Sequence, residues 1–266
     1  MNVMDSFRLE GKVAIVTGGS GLYGTHISTA LAETGALVVI ASRSLDNCER
    51  QAETLRSRGL SAVARQLDLA DEHSIQHFTA QIVNEFQQID ILINNSVSRI
   101  GLADIEQTTA EGWLAAEQVN GLGLMLLTKA VVSTMRERQT GNIINISSIQ
   151  GILGPHFPVY GDSGMTSGIE YTYAKWGMVG ITKWLANYYG KYNIRVNCIS
   201  PGGYNPENTE QEIKAGGFLQ RYLERTPLGR MADETDIQGA IVYLASAASK
   251  YVTGHNLVLD GGWSSW

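Results

Sequence analysis

The chain has 266 residues, 44% of them hydrophobic and 17% charged, enough apolar material for one large α/β domain, and its 29 glycines suit a fold with many tight turns. The net charge of −6 supplies no basic field for nucleic acid, and no apolar run reaches the length of a transmembrane span. Cys48 and Cys198 are far apart, which argues against a disulfide framework or a metal cluster; with no secretory signal in the first residues, a reduced, cytoplasmic setting is expected.

Short Val/Ile-rich runs alternate with longer stretches of helical apolar spacing. Residues 12–17 read as a buried strand closed by a glycine turn, and 22–34 as a helix. Strand 37–42 and helix 45–58 follow, with Gly59 placed to end that helix. Strands are expected at 61–68, 89–94, 142–147 and 194–200, and helices at 71–87, 109–138 and 171–189. Residues 206–224 read as one or two helices, 233–245 as an amphipathic helix, and 256–259 as a last strand. The strands are continuously apolar rather than alternating, as when both faces are covered. The expected fold is a single-domain, Rossmann-like, doubly wound parallel sheet of about seven strands, with helices on both faces and right-handed crossovers. Residues 1–266 form one domain, with a substrate loop at 152–170 and a lid at 203–224, hinged at Gly216-Gly217.

Thr17-Gly18-Gly19-Ser20-Gly21-Leu22-Tyr23-Gly24 follows the first strand and opens a helix. Gly18, Gly21 and Gly24 remove side chains where the backbone must bend and approach phosphate, and the free N–H groups of the helix start meet its charge. The alternative is a glycine turn without a ligand. The second strand ends Ala41-Ser42-Arg43-Ser44, with no carboxylate to hold the ribose hydroxyls of NAD. Arg43 is placed to meet a 2′-phosphate, so NADP is expected, with NAD as the alternative cofactor and a solvated loop cation as the bland reading of Arg43.

Tyr171 and Lys175 stand four apart and share a helix face. A cation beside the phenol would lower its pKa from about 10 and fit it for proton transfer. Alone, such a pair is common by chance; its company gives it meaning.

Asp90-Ile91-Leu92-Ile93-Asn94-Asn95-Ser96, Asn120, Asn145-Ile146-Ser147-Ser148-Ile149-Gln150-Gly151 and Ile194-Arg195-Val196-Asn197-Cys198-Ile199-Ser200-Pro201-Gly202 occur in an order that resembles the short-chain dehydrogenase/reductase family. Matching elements run from Gly11-Lys12-Val13 to Asp260-Gly261-Gly262. The resemblance implies Tyr171 as acid/base, Lys175 as its modulator and ribose ligand, Ser148 as hydrogen-bond donor to the substrate oxygen, and Asn120 as support for a relay water. Ser147 in place of Ser148, and Asn120 as a merely satisfied buried amide, remain open. The implied cofactor contacts are Gly18, Ser20, Gly21, Leu22, Tyr23, Gly24, Ser42, Arg43, Asp68, Leu69, Asn95, Ser96, Val97, Tyr171, Lys175, Pro201, Gly202 and Tyr204. Ser96 and Val97 depart from the family's Asn-Asn-Ala-Gly pattern.

Two further departures carry information. The spacing Thr-Gly-x-x-Gly-x-x-Gly resembles the longer, sugar-nucleotide-modifying branch, and Leu22 stands where the short branch has glycine. The interval from Ser148 to Tyr171 is about ten residues longer than the family pattern, through the added segment 161–170. Tyr160 sits at the ordinary distance but has Gly164 four residues on, not lysine. Met165-Thr166-Ser167 before Glu170-Tyr171 resembles reductase-like proteins of bacterial nonulosonic-acid and surface-sugar pathways. The added segment must border the substrate.

The expected substrate contacts are Arg99, Ser148, Gln150, His156, Tyr160, Tyr204 and Asn205, a polar set that favours a sugar, polyol or sugar acid; Ser96, Asp162 and Thr166 stand in the same wall. Arg99 suits a carboxylate or phosphate. Trp263 and Trp266 suggest a subunit contact in a homotetramer or homodimer. The reading is an NAD(P)(H)-dependent oxidoreductase on a secondary alcohol or ketone. The alternatives are a 3-oxoacyl reductase, an NAD-dependent sugar-nucleotide epimerase or dehydratase, and a non-catalytic dinucleotide sensor.

Overall fold

The computed structural model describes residues 2–205 and 217–266. Its first strand, β1 (Val13–Thr17), is followed by α1 (Leu22–Glu33), β2 (Leu37–Ser42), α2 (Leu45–Ser57), β3 (Ala62–Gln66), α3 (Glu72–Phe86) and β4 (Ile91–Asn94). Then come α4 (Ala110–Glu117), α5 (Leu124–Arg138), β5 (Gly141–Ile146), α6 (Ile169–Tyr189), β6 (Ile194–Pro201), α7 (Phe218–Arg225), α8 (Asp236–Ala245) and β7 (Asn256–Leu259). Among the described residues the strands form one parallel seven-stranded sheet in the order β3-β2-β1-β4-β5-β6-β7.

The continuous apolar strands have a direct cause. Ala14, Val16, Val38, Ile40, Ile91 and Ile93 face one side, where Ile27 and Leu31 of α1, Leu55 of α2 and Ile241 of α8 cover them. Val13, Ile15, Val39, Ala41 and Leu92 face the other, against Phe78 and Ile82 of α3 and Leu127 and Val131 of α5. Successive strand residues point to opposite faces, so a sheet covered on both sides shows no polar alternation. Each such side chain, buried fully, contributes roughly 1.5–3 kcal/mol. A third, smaller cluster joins Ile149, Val159, Leu219, Tyr222, Met231 and Trp263 beyond the carboxyl end of the sheet.

The chain runs outward through β2 and β3, then returns to the other side of β1 with β4. This reversal opens a crevice at the carboxyl ends of β1 and β4, where ligands of such sheets bind. Thr17 and Asn95 pin its two lips. The Thr17 Oγ1 accepts from the backbone N–H groups of Asn95 and Ser96, each at 3.0 Å. The Asn95 Nδ2 donates to the carbonyls of Thr17 at 3.0 Å and Gly18 at 3.2 Å.

Two expectations need correction, and a third lies largely outside the described residues. The single helix expected at 109–138 is two, joined by a π-helical turn at Gln118–Gly123. The apolar period continues through it, so the sequence shows no break. Trp263, expected in a subunit contact, is 5% exposed within its own chain, its ring stacked on Tyr222 with centroids 4.2 Å apart. The expected lid falls largely on residues outside the described ones; of it, Gly203–Asn205 and α7 are described, and Gly217 caps α7. No helix among the described residues is long and apolar enough to cross a membrane.

Glycine is sterically required at position 24, where a Cβ would stand 1.9 Å from the Gly18 carbonyl oxygen. Gly24→Ala is expected to lower stability by about 1–3 kcal/mol, read as a drop in the urea midpoint with an unchanged slope, because the first turn of α1 must lift off the glycine turn.

Candidate active site

The crevice widens into a cavity of about 1500 Å³. Its walls run from Arg43 and Asp68, past the glycine turn, to Ser148 and Tyr171, and end at the added segment and α7.

At the glycine turn, Gly18 has φ +61°, a left-handed conformation that favours glycine. Gly21, the N-cap of α1, makes no side-chain cap. A Cβ there would meet only the Gly18 carbonyl oxygen, at 3.3 Å, a tight contact that a shift of a few tenths of an ångström relieves. The fold does not itself demand glycine at 21; an approaching phosphate would. Helix α1 begins at Leu22 as an ordinary first helical residue, so the departure there leaves the helix start regular, with Leu22 66% exposed. The first N–H groups of a helix have no intrahelical acceptors, and here they open toward the cavity. Beyond them, Arg43 is exposed at the cavity edge directly before α2, whose own N-terminus adds positive potential. Leu69 is buried, and its carbonyl packs against Gly123 of the π-turn. This combination of glycine cradle, helix start and edge arginine fits a dinucleotide.

The catalytic end is fixed by reciprocal hydrogen bonds. The Lys175 ammonium donates to the Ile146 carbonyl at 2.7 Å, and the Ser147 hydroxyl donates to the Lys175 carbonyl at 2.9 Å. Ser147 is thereby committed to structure, and Ser148, at the cavity wall, is the serine available to a substrate. Its Oγ accepts from the Gln150 backbone N–H at 3.1 Å. The Lys175 Nζ lies 5.5 Å from the Tyr171 ring centroid. Burial raises the Tyr171 pKa above its ordinary value, while the Ser148 hydroxyl and the Arg99 charge pull it down. Burial also lowers Lys175, to about 8, with Arg99 pushing the same way and Cys198 opposing.

The cavity wall carries nearly all the expected contacts: Gly18, Gly21, Leu22, Tyr23, Ser42, Arg43, Asp68, Leu69, Asn95, Ser96, Val97, Arg99, Ser148, Gln150, Tyr160, Tyr171, Lys175, Pro201, Gly202, Tyr204 and Asn205. Four expected residues stand off it. Ser20 turns to Cys48, with Oγ and Sγ 3.8 Å apart. Gly24 packs on Gly18. His156 lies against Arg225, 3.5 Å from its guanidinium. The Asn120 side chain is spent on Ser98, accepting from its N–H at 2.7 Å and donating to its carbonyl at 2.9 Å. Its place in a π-turn beside the crevice is nonetheless typical of functional sites.

Sequence reasoning missed Ser167, Tyr222 and Arg221, which also line the cavity. Tyr222 accepts a hydrogen bond from the Gly203 N–H at 2.5 Å, fixing the chain just after β6. Arg221 packs on Gly161 of the added segment. No local motif marks α7, because its role comes from docking over the cavity.

A family model described as "Enoyl-(Acyl carrier protein) reductase" matches residues 20–264. The chain is 36% identical to a 2-dehydro-3-deoxy-D-gluconate 5-dehydrogenase of Bacillus subtilis, over 98% of both chains. It is 33% identical to a 3-oxoacyl-[acyl-carrier-protein] reductase of Thermotoga maritima, over 96% of this chain and 98% of that one. Its structure superposes with a TM-score of 0.88, at 29% identity and over 100% of both chains, on a gluconate 5-dehydrogenase from Burkholderia cenocepacia J2315 in complex with NADP and tartrate.

The buried lysine gives a pH-dependent prediction for the protein without cofactor. Unfolding restores the ordinary Lys175 pKa of 10.5 from about 8, so below pH 8 the folded state bears the cost of a buried charge, on the order of 3 kcal/mol. Between pH 8 and 10.5 the unfolded chain binds more protons than the folded one, and this cost fades. The stability of wild type relative to Lys175→Met is therefore expected to rise between pH 8 and 10.5, measured by urea unfolding at several pH values.

Proposed function

The chain belongs to the short-chain dehydrogenase/reductase family and is an oxidoreductase, and from that premise we propose that it transfers hydride between NADP(H) and a secondary alcohol or ketone of a sugar acid. The observation that carries this reading is one cavity with Ser148, Tyr171 and Lys175 at one end and the glycine cradle and Arg43 at the other.

When bound, the nicotinamide accepts or supplies the hydride. The chain's own residues do the rest. Tyr171, whose phenol burial pushes up, gives its proton to the ketone oxygen on reduction and recovers it on oxidation. Ser148 offers a second hydrogen bond to the same oxygen, where negative charge develops. Lys175, anchored on the Ile146 carbonyl, would hold the cofactor ribose. Arg99 borders the substrate end and supplies a guanidinium fork for a carboxylate, while its charge also favours the phenolate. Asn120 acts indirectly, by shaping the Ser98 turn next to Arg99.

Support for NADP comes from Arg43, from the absence of an acid at the end of β2 and from the NADP bound in the Burkholderia relative. Support for a sugar acid comes from the polar wall, from Arg99 and from the names of two relatives. A 3-oxoacyl thioester is the second reading, carried by the Thermotoga relative and by Met165, Phe218, Leu219 and Met231 in the wall, while Gln150, Asp162, Ser163, Thr166 and Ser167 favour a polar substrate. For assembly, we favour a dimer or tetramer. Tyr173, Trp176, Trp184 and Tyr188 leave an aromatic face of α6 exposed, and this replaces the tail as the proposed contact.

Two measurements test the reading. Tyr171→Phe should lower kcat by about 10³-fold or more on a sugar-acid ketone while NADPH affinity, followed by fluorescence, stays within about 3-fold. Arg43→Ala should lower kcat/KM for NADPH by about 10- to 100-fold and leave that for NADH nearly unchanged, because only the 2′-phosphate loses a partner.

A further inference from the structure

The added segment does more than border the substrate. Ser167, near its end, is 7% exposed, and its Oγ donates to the Gln150 Oε1 at 2.5 Å, across 17 residues of chain. The Thr172 hydroxyl donates to the same oxygen at 3.3 Å. The Tyr160 phenol interacts with both Ser167 and Gln150. Three hydroxyl groups thus gather around one side-chain amide. The segment is in turn held from outside: the Arg221 guanidinium packs over Gly161, and the Tyr160 ring stacks on Phe218 with centroids 5.6 Å apart.

An amide oxygen has two lone pairs, and here both are taken by hydroxyl donors. With the Oε1 so engaged, the Nε2 is left for the cavity that Gln150 lines, with two N–H groups, of which Tyr160 can engage at most one. The residue stands two positions past Ser148, and its backbone N–H already holds the Ser148 hydroxyl at 3.1 Å. The remaining donor thus belongs to the same cavity that Ser148 and Tyr171 line.

We propose that Gln150, oriented by Ser167 of the added segment, donates a hydrogen bond to a hydroxyl on the carbon next to the reacting one, and so selects vicinal diols and α-hydroxyketones. Gln150 is the specificity-determining contact, and Ser167 is a positioning residue that acts through it. The inference rests on the sugar-acid redox reading and adds to it the reason for the added segment. A site built to donate to a substrate hydroxyl discriminates against an analogue lacking it, because its buried polar groups are then left unpaired.

The test uses full-length enzyme with NADPH and three probes: 5-keto-D-gluconate and its 4-deoxy and 6-deoxy analogues. Wild type should prefer the parent ketone over one deoxy analogue by about 10-fold or more in kcat/KM. Ser167→Ala and Gln150→Met should each compress that preference to about 3-fold or less, through a higher KM for the parent ketone. Ser167→Thr, which restores the hydroxyl, should recover it, as a packing defect would not. The clamp is overturned if the preference survives in both variants, if parent and deoxy rates fall together, or if wild type reduces all three probes equally. The last result leaves the redox assignment standing. A wild type that reduces none of the three, and that Tyr171→Phe does not alter, overturns the sugar-acid reading and this inference with it.

Discussion

Two hydrogen bonds between one lysine and the end of one strand set the geometry of the active end. The Lys175 ammonium donates a hydrogen bond to the Ile146 carbonyl, and the Lys175 carbonyl accepts one from the Ser147 hydroxyl. The pair ties the second turn of α6 to the last residue of β5 and the one beyond it. Helix and strand cannot slide without breaking both. Gly151 shows how tight the joint is, since a Cβ there would come within 2.4 Å of the Ser147 hydroxyl and 2.6 Å of the Lys175 carbonyl oxygen. With this joint closed, Tyr171, one turn earlier on α6, must lie beside Ser148, one residue later on the chain.

The joint is supported from below by a buried polar chain. The Asn94 Nδ2 donates to the Thr128 hydroxyl at 3.1 Å and to the Asn145 Oδ1 at 2.9 Å, and the Asn145 Nδ2 donates to the Thr182 hydroxyl at 2.8 Å. It links α5, β4, β5 and α6 across the sheet. Polar groups this deep are costly unless satisfied, and satisfied they fix one arrangement of their elements. The crevice lips, held by Thr17 and Asn95, and the catalytic wall, held by Lys175, are thus parts of one rigid frame. On its rim, Val159 and Tyr160, α7 and Trp263 pack on one another in the third apolar cluster rather than on the sheet.

Much of the fold and site was legible in the chain because the signals are local. Continuous Val/Ile runs of strand length, separated by helical spacing, require a doubly covered parallel sheet. β2 and β7 fall where the pattern puts them, and the other strands shift by a residue or two, since end residues answer to neighbours as much as to themselves. Gly59, with φ +76°, ends the α2 region as expected of a residue free to turn left-handed. Less legible was anything set by two distant partners. The π-turn at Gln118–Gly123 keeps the apolar period, so only backbone geometry reveals it. The roles of Ser147 and Ser148 are interchangeable on paper; contact with Lys175 separates them. His156 reads as a substrate contact until α7 docks and Arg225 claims it.

The sequence by itself determined the sheet, the glycine turn, the Tyr171–Lys175 pair and the missing acid after β2, because each rests on residues within a turn or a strand of one another. Only the tertiary structure decided how burial and Arg99 act on the phenol, which serine is free, and that the added segment reaches Gln150. Burial, the field of Arg99 and a hydrogen bond across 17 residues depend on the packing of separate elements, and no local pattern records the desolvation that packing imposes.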